Sequence, residues 1–197
     1  MLVLASGSAS RRSLLRNAGI DHDVMVSSID EDAAKAPLRS SGLGPDKIAC
    51  ALAELKALDV SARCAGDLVL GCDQTLALDD GTELDKAPDR RALAGQLRLL
   101  SGRTHSLFSA MVVARDGQPV WRHIESARLT MRPLSEAFIS GYLEAEGDVL
   151  LGCVGGYRIE GRGVQLFSHI EGSHFAIMGL PLLPLMDYLR SEGAVPA

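Results

Sequence analysis

The stretch Asp67-Leu68-Val69-Leu70-Gly71-Cys72-Asp73-Gln74 decides how the rest of the chain is read. Residues 68–71 form an apolar run that suits a strand at the centre of a sheet covered on both faces. The run delivers Asp73 and Gln74 where that strand is expected to end. In open α/β sheets the crevice for ligands lies beyond the carboxyl ends of the strands, so Asp73 either stands in a site or caps a turn. Cys72 beside it has an apolar setting that would raise its thiol pKa, which predicts a structural thiol and not a nucleophile.

Working outward toward the C-terminus, residues 75–78 continue extended and Asp79-Asp80-Gly81 signals a hairpin turn, with Glu83 and Leu84 on the return. Lys86 lies just before Pro88, and Asp89 is placed to cap a helix over 89–100 that Ser101-Gly102 closes. Strands are predicted over 104–114 and 120–131 around the turn Asp116-Gly117, then a helix from Ser135 to about residue 144. Residues 149–163 carry five glycines together with Tyr157, Arg158, Glu160 and Arg162. That density is too high for a regular element, and backbone lying close to a ligand is one reason for it. The spacing is not that of the dinucleotide-binding fingerprint. A last strand over 165–170 and a last helix over 181–189 complete the chain. His169 and His174 are spaced wrongly for a shared helix face, which disfavours a two-histidine metal site.

Toward the N-terminus, an apolar strand over 2–4 runs into Ala5-Ser6-Gly7-Ser8-Ala9-Ser10-Arg11-Arg12. Small residues let backbone N–H groups converge, Ser8 or Ser10 can cap the next helix, and two arginines stand in its first turn. The segment is therefore either a phosphate cradle or an ordinary Ser-capped helix with solvated arginines. The helix is expected to stop at Gly19. A second strand over 24–26 leads to Asp30-Glu31-Asp32, a run that reads as a solvated loop or as oxygen ligands for a divalent ion. Two prolines and two glycines mark 36–45 as a flexible connection. A helix over 46–58 places Ile48, Ala51, Leu52 and Leu55 on one face, with Lys56 near an end where the helix dipole favours a cation.

Composition narrows the function classes. At 197 residues, 47% hydrophobic and 23% charged, the chain can bury a full core, as one domain or as two small lobes sharing a cleft. A formal net charge of −5 gives no general basic surface, so a nucleic-acid partner is disfavoured and phosphate binding has to be local. The four cysteines show no metal-type pairing and read as reduced thiols. No apolar run approaches a membrane span, and the start lacks the positive region of a signal peptide, so a cytoplasmic protein is expected.

Taken together, these segments resemble the Maf family of nucleoside triphosphate pyrophosphatases over nearly the whole chain. The resemblance is carried by Leu-Ala-Ser-Gly-Ser-Ala-Ser-Arg-Arg at 4–12, Asp-Glu at 30–31, Lys56, and Gly-Cys-Asp-Gln at 71–74. It continues in Asp-Lys-Ala-Pro at 85–88, Leu-Ser-Gly-Arg-Thr-His at 100–105, Gly-Gly-Tyr-Arg-Ile-Glu-Gly at 155–161 and Gly-Leu-Pro-Leu at 179–182. It implies an elongated, two-lobed α/β fold of the Maf and inosine-triphosphatase type, with a mixed twisted sheet, flanking helices and a central cleft. It also implies a single Maf-like domain over residues 1–197, often found as a homodimer.

The activity implied is hydrolysis of a nucleoside triphosphate to monophosphate and pyrophosphate with a divalent cation, Mg²⁺ or Mn²⁺, in the removal of unwanted nucleotides. By the same resemblance Asp73 is the proton acceptor or a metal ligand, and Glu31 the second metal-binding acid. Ser8, Arg11, Arg12, Lys56 and Lys86 grip the phosphates, while Arg12, Gln74 and Glu160 bear on substrate choice. Members similar to dTTP and UTP hydrolases carry Thr and Gln where this chain has Gln74 and Glu160, and that pair resembles the 7-methyl-GTP branch. A carboxylate accepts two hydrogen bonds from the N1–H and N2–H₂ edge of guanine, whereas uracil or thymine would meet it with carbonyl oxygens. The 7-methyl-GTP branch has Pro-Trp where this chain has Ala9-Ser10, an aromatic surface lost. The expectation is a guanine-type or broad triphosphate substrate. The alternatives are a dTTP/UTP hydrolase and a non-catalytic nucleotide-binding regulator of cell division.

Overall fold

The computed structural model describes residues 1–196. It is a mixed α/β structure whose seven strands form one sheet in the order β2-β1-β3-β5-β6-β7, with β4 paired to β3. Strand β1 (Leu2–Leu4) lies parallel to both β2 (Asp23–Val24) and β3 (Leu68–Leu78). β3 lies antiparallel to β4 (Glu83–Leu84), and β6 (Gln118–Met131) antiparallel to β7 (Phe167–Glu171). β5 spans Thr104–Arg115, and its link to β6 is the expected turn, with Asp116 and Gly117 both at positive φ. No helix among the described residues is long and apolar enough to cross a membrane.

The chain divides into two compact units. The first comprises 1–74, 108–125 and 179–197, and the second 75–107 and 126–178. In the first unit, helices α1 (Ala9–Asn17), α2 (Glu31–Ser40), α3 (Pro45–Ser61) and a C-terminal helix (Leu182–Ser191) accompany β1 and β2. One of its cores joins Ala49, Ala53 and Ala57, spaced four apart on α3, to Ala110, Val112 and Ala114 of β5. Alanines on both sides let helix and sheet come close. Gly71 closes the gap further, since a Cβ there would sit 2.1 Å from the Ala53 carbonyl oxygen and 2.7 Å from the Ala57 nitrogen. Sequence 68–71 thus supplies a strand interior and also the notch into which α3 fits.

In the second unit, α4 (Arg90–Leu100) starts on Asp89, whose carboxylate accepts from the Ala92 N–H, and α5 (Glu136–Glu146) starts on Ser135. Both caps are the ones the sequence predicts. The unit's core contains Leu76, Leu93, Leu97, Leu107, Leu129 and Met131, with Tyr157 and Ile159 from the glycine-rich segment, which folds as short 3-10 turns. His105 is fully buried there, and burial pushes its imidazole down to about 4.

Three expectations are corrected. Residues 31–40 form α2 and not part of a loop, because Asp30 caps them through the Ala33 N–H and the first-turn acids suit the helix N-terminus, despite Pro37 inside. β3 does not end at Gly71 but runs unbroken to Leu78, so Asp73 is a mid-strand residue. Leu55 is 40% exposed, and the buried face of α3 is instead Ile48, Leu52 and Lys56 with the alanines.

Two stability experiments follow from this packing. Gly71→Ala forces a methyl into backbone and should cost roughly 3 kcal/mol or more in urea unfolding. His105 titrates near 6.5 when unfolded and near 4 when folded, so the unfolded chain binds the extra proton between those values. The stability this neutral imidazole brings is present above pH 6.5 and lost as pH falls toward 4, on the order of 3 kcal/mol. Unfolding midpoints at pH 7, 5.5 and 4.5 should fall more steeply for the wild type than for His105→Asn.

Candidate active site

The site is built from the notch described above. Because α3 lies against Gly71, Lys56 reaches β3 two residues further on, and its ammonium stands 2.7 Å from Asp73 Oδ1. Both side chains are almost fully buried, at 9% and 7% exposure. The same Nζ stands 2.8 Å from Glu31 Oε1, at the start of α2. One ammonium thus holds two carboxylates. Removing charges from water costs several kcal/mol each, and the lysine offsets this for a cluster that remains net negative. Asp73 Oδ2 is buried and has no hydrogen-bond partner among the described residues. A polarised carboxylate oxygen left without a donor in a buried setting is the usual mark of a reacting or ligating group.

The loop that brings Glu31 to Lys56 is tied down by a residue the sequence reading passed over. Asp59, one turn beyond Lys56 on α3, accepts from Ser27 Oγ at 3.0 Å and from the Ser28 N–H at 3.0 Å, and pairs with Arg63. The Ser28 N–H foremost holds the Asp59 carboxyl below its usual range. An acid three places after the lysine on one helix face was the available signal.

Ser8 caps α1, its hydroxyl accepting from the Arg11 N–H, a geometry shared by the phosphate-cradle and the ordinary capped-helix readings. The Ala5 N–H donates to the Leu70 carbonyl at 2.8 Å, fixing that loop to β3. The two arginines that follow differ sharply. Arg11 donates through Nε to the Gly179 carbonyl, and through Nη1 to Ser6 Oγ and the Cys72 carbonyl, at 2.9, 3.0 and 3.0 Å. Gly179 has φ of +86°, and a Cβ there would come within 3.3 Å of the guanidinium. Arg12 is exposed and makes no ion pair among the described residues.

Gln74 follows Asp73 on β3, and its side-chain amide donates to the fully buried Ser109 Oγ at 2.8 Å. Cys72 is wholly buried and its thiol is pushed up to about 11, as the strand setting predicted. Lys86 and Glu160 belong to the second unit. Lys86 is exposed in the segment between β4 and α4, and Glu160 pairs with Arg158 Nε at 3.2 Å. The structure therefore brings Glu31, Lys56 and Asp73 into one cluster. Arg11 is tied to the same β3 through the Cys72 carbonyl and the loop before Ser8 through Leu70, while Lys86 and Glu160 stand in the other unit.

Asp73 and Glu31 are the acids of the cluster that could hold a divalent ion of the magnesium type. No group of three or more His, Cys, Asp or Glu that could form a metal cage occurs among the described residues. Mg²⁺ usually takes one or two carboxylates with water and substrate phosphates, and Asp73 and Glu31 supply two carboxylates on one ammonium.

The site can be tested by its charge balance. Lys56→Met should destabilise the protein by about 3 kcal/mol, because two carboxylates lose their counter-ion. Adding Asp73→Asn to Lys56→Met should recover part of that loss in chemical denaturation. Arg11→Lys keeps the charge but gives up the fork to three acceptors, and should lower the thermal midpoint by several degrees.

A family model described as "Maf-like protein" matches residues 1–192. The chain is 50% identical over 194 residues to a 7-methyl-GTP pyrophosphatase of Brucella abortus, covering 98% of this chain and 97% of that protein. The identity is also 50% over 194 residues to a 7-methyl-GTP pyrophosphatase of Mesorhizobium japonicum, with the same coverages. A nucleoside triphosphate pyrophosphatase of Sphingopyxis alaskensis is 47% identical over 195 residues, covering 99% of this chain and 98% of that protein.

Proposed function

The chain belongs to the Maf family, and on that premise we propose that it hydrolyses a nucleoside triphosphate to the monophosphate and pyrophosphate. The observation that carries the reading is the buried Lys56–Asp73 pair with Asp73 Oδ2 unpartnered. Lys56 fixes Oδ1 of Asp73, which leaves Oδ2 to take a proton. Water attacks the α-phosphorus, a new P–O bond forms, its proton passes to Asp73 Oδ2, and the bond to the bridging oxygen breaks to release pyrophosphate. Glu31 and Asp73 would hold a divalent cation, Mg²⁺ or Mn²⁺, which when bound neutralises charge on the phosphates. Lys56 has three donor hydrogens, of which two serve the carboxylates, so the third remains for a phosphate oxygen.

The N-terminal cradle at Ser8 and the exposed Arg12 suit the polyphosphate, and Lys86 takes its phosphate role from the family motif at 85–88. Arg11 supports that cradle from behind, through the carbonyls of Cys72 and Gly179. For the base we favour guanine-type substrates, including a 7-methylated one, over pyrimidines. Glu160 is a double acceptor that suits the guanine edge, Gln74 is the second reader, and relatives near 50% identity carry the 7-methyl-GTP name.

A panel of nucleoside triphosphates that includes 7-methyl-GTP, assayed with Mg²⁺ or Mn²⁺ for pyrophosphate release, should show turnover with guanine-type substrates ahead of UTP and dTTP. Absence of release from every member would remove the enzymatic reading. Asp73→Asn should retain the wild-type circular dichroism spectrum and lose on the order of 10³ in kcat. Glu160→Gln should shift the panel toward UTP and dTTP.

A further inference from the structure

Two family motifs, Leu-Ser-Gly-Arg-Thr-His and Gly-Gly-Tyr-Arg-Ile-Glu-Gly, contribute residues that none of the steps above uses. Inside the second unit their ends meet. His105 Nε2 is hydrogen-bonded to the Tyr157 hydroxyl at 2.7 Å, with His105 at 0% and Tyr157 at 5% exposure. Phe167 packs edge-on against Tyr157 at 4.8 Å between centroids and also borders His105. A buried polar pair inside an apolar cluster costs desolvation on both sides and specifies one arrangement only when the bond is made.

That bond fixes a segment with little slack. Gly155 and Gly156 adopt φ of +77° and +70°, and Cβ atoms on them would lie 2.7 Å from Leu76 Cδ1 and 2.1 Å from Leu93 Cδ1. The Gly156 carbonyl accepts from the Tyr142 hydroxyl at 3.3 Å. On the far side, a Cβ on Gly163 would sit 2.4 Å from the Arg158 carbonyl oxygen, so the backbone folds back on itself there. Arg158 and Glu160, paired at 3.2 Å, stand between these two fixed points.

We propose that the buried His105–Tyr157 hydrogen bond is a positioning device that sets the Glu160 carboxylate for discrimination between bases. His105 and Tyr157 touch no substrate; they act through the segment that carries Arg158 and Glu160. Tyr157 is anchored by a buried hydrogen bond beside the two left-handed glycines. Loss of its hydroxyl leaves the ring in its pocket but lets the following residues drift. The expected consequence is a loss of selectivity with the chemistry preserved, because Lys56, Asp73 and Glu31 belong to the other unit.

This inference rests on the base-reading role of Glu160, and the test separates the two. The ratio of kcat/KM for GTP over UTP would be measured for wild type, Tyr157→Phe, Glu160→Ala and the double variant. Tyr157→Phe should lower the ratio about tenfold through KM, with kcat for GTP within about threefold of wild type. In the Glu160→Ala background the same change should leave the ratio within about twofold, since residues acting through one group are non-additive. His105→Gln, which retains a hydrogen-bonding side chain, should keep more of the ratio than His105→Leu, and this second pair serves if Tyr157→Phe does not fold. A ratio altered by Glu160→Ala but untouched by Tyr157→Phe, or an undiminished Tyr157→Phe effect in the Glu160→Ala background, overturns this inference alone. A ratio unchanged in Glu160→Ala overturns the base-reading role of Glu160, and this inference with it.

Discussion

An ammonium between two carboxylates, almost out of reach of water, is the constraint on which the first unit depends. Lys56 can meet Asp73 and Glu31 together only if α3 lies hard against β3 and if the start of α2 is held beside α3. Gly71 and the alanine face of α3 satisfy the first condition, and the Asp59 carboxylate gripping Ser27 and Ser28 satisfies the second. The apolar packing around the cluster strengthens the attraction by lowering the local dielectric, and equally raises the cost of any charge left unpaired. The unpartnered Oδ2 of Asp73 is where that cost is left unresolved within this cluster. Such local exceptions concentrate at functional positions.

What could be read from the sequence was whatever a short window of chain decides. Ser8, Asp89 and Ser135 cap helices because an oxygen three residues before a free N–H needs nothing from the rest of the fold. The hairpin at 79–81 and the turn at 116–117 are equally local. What escaped was decided at a distance. Asp73 looked like the end of a strand because a charge interrupts an apolar run; only Lys56, contributed by another element, allows the strand to continue through it. Lys56 looked like a dipole-stabilising cation because the helix seemed to finish near 58, whereas it runs to Ser61 and places Lys56 on the buried face. Asp30-Glu31-Asp32 reads as a loop or as metal ligands and the prolines and glycines of 36–45 as a connection, so α2, which starts on the Asp30 cap, is hidden by both.

Arg11 and Arg12 show the same limit in its sharpest form. Adjacent and chemically identical, they separate into a buttress and an exposed cation because Arg11 finds acceptors at Cys72 and at Gly179, 168 residues away. A planar fork with fixed donor directions suits that use, since one guanidinium can serve three acceptors at once. The carbonyl it holds on β3 belongs to the residue immediately before Asp73, so the cradle and the carboxylate share one brace. Glycine at 179 is required on two counts, the left-handed φ and the proximity of the guanidinium.

Placing the proposed proton acceptor inside a strand has a physical advantage over the strand-end position the sequence suggested. A residue at a strand end inherits the mobility of the loop beyond it, whereas Asp73 has buried neighbours on β3 at Gly71, Cys72 and Thr75, and its backbone direction is set by the sheet. Lys56 lies likewise in the interior of a seventeen-residue helix and not at its fraying end. The proposed proton acceptor and the lysine that holds it are thus carried by rigid elements, where a displacement of a fraction of an ångström would cost rate. Arg12, proposed for the flexible polyphosphate, is exposed in the first turn of a helix, where a long side chain can follow a ligand's charge. Rigidity is concentrated on the atoms whose geometry sets the barrier, and freedom is retained where only charge has to be met.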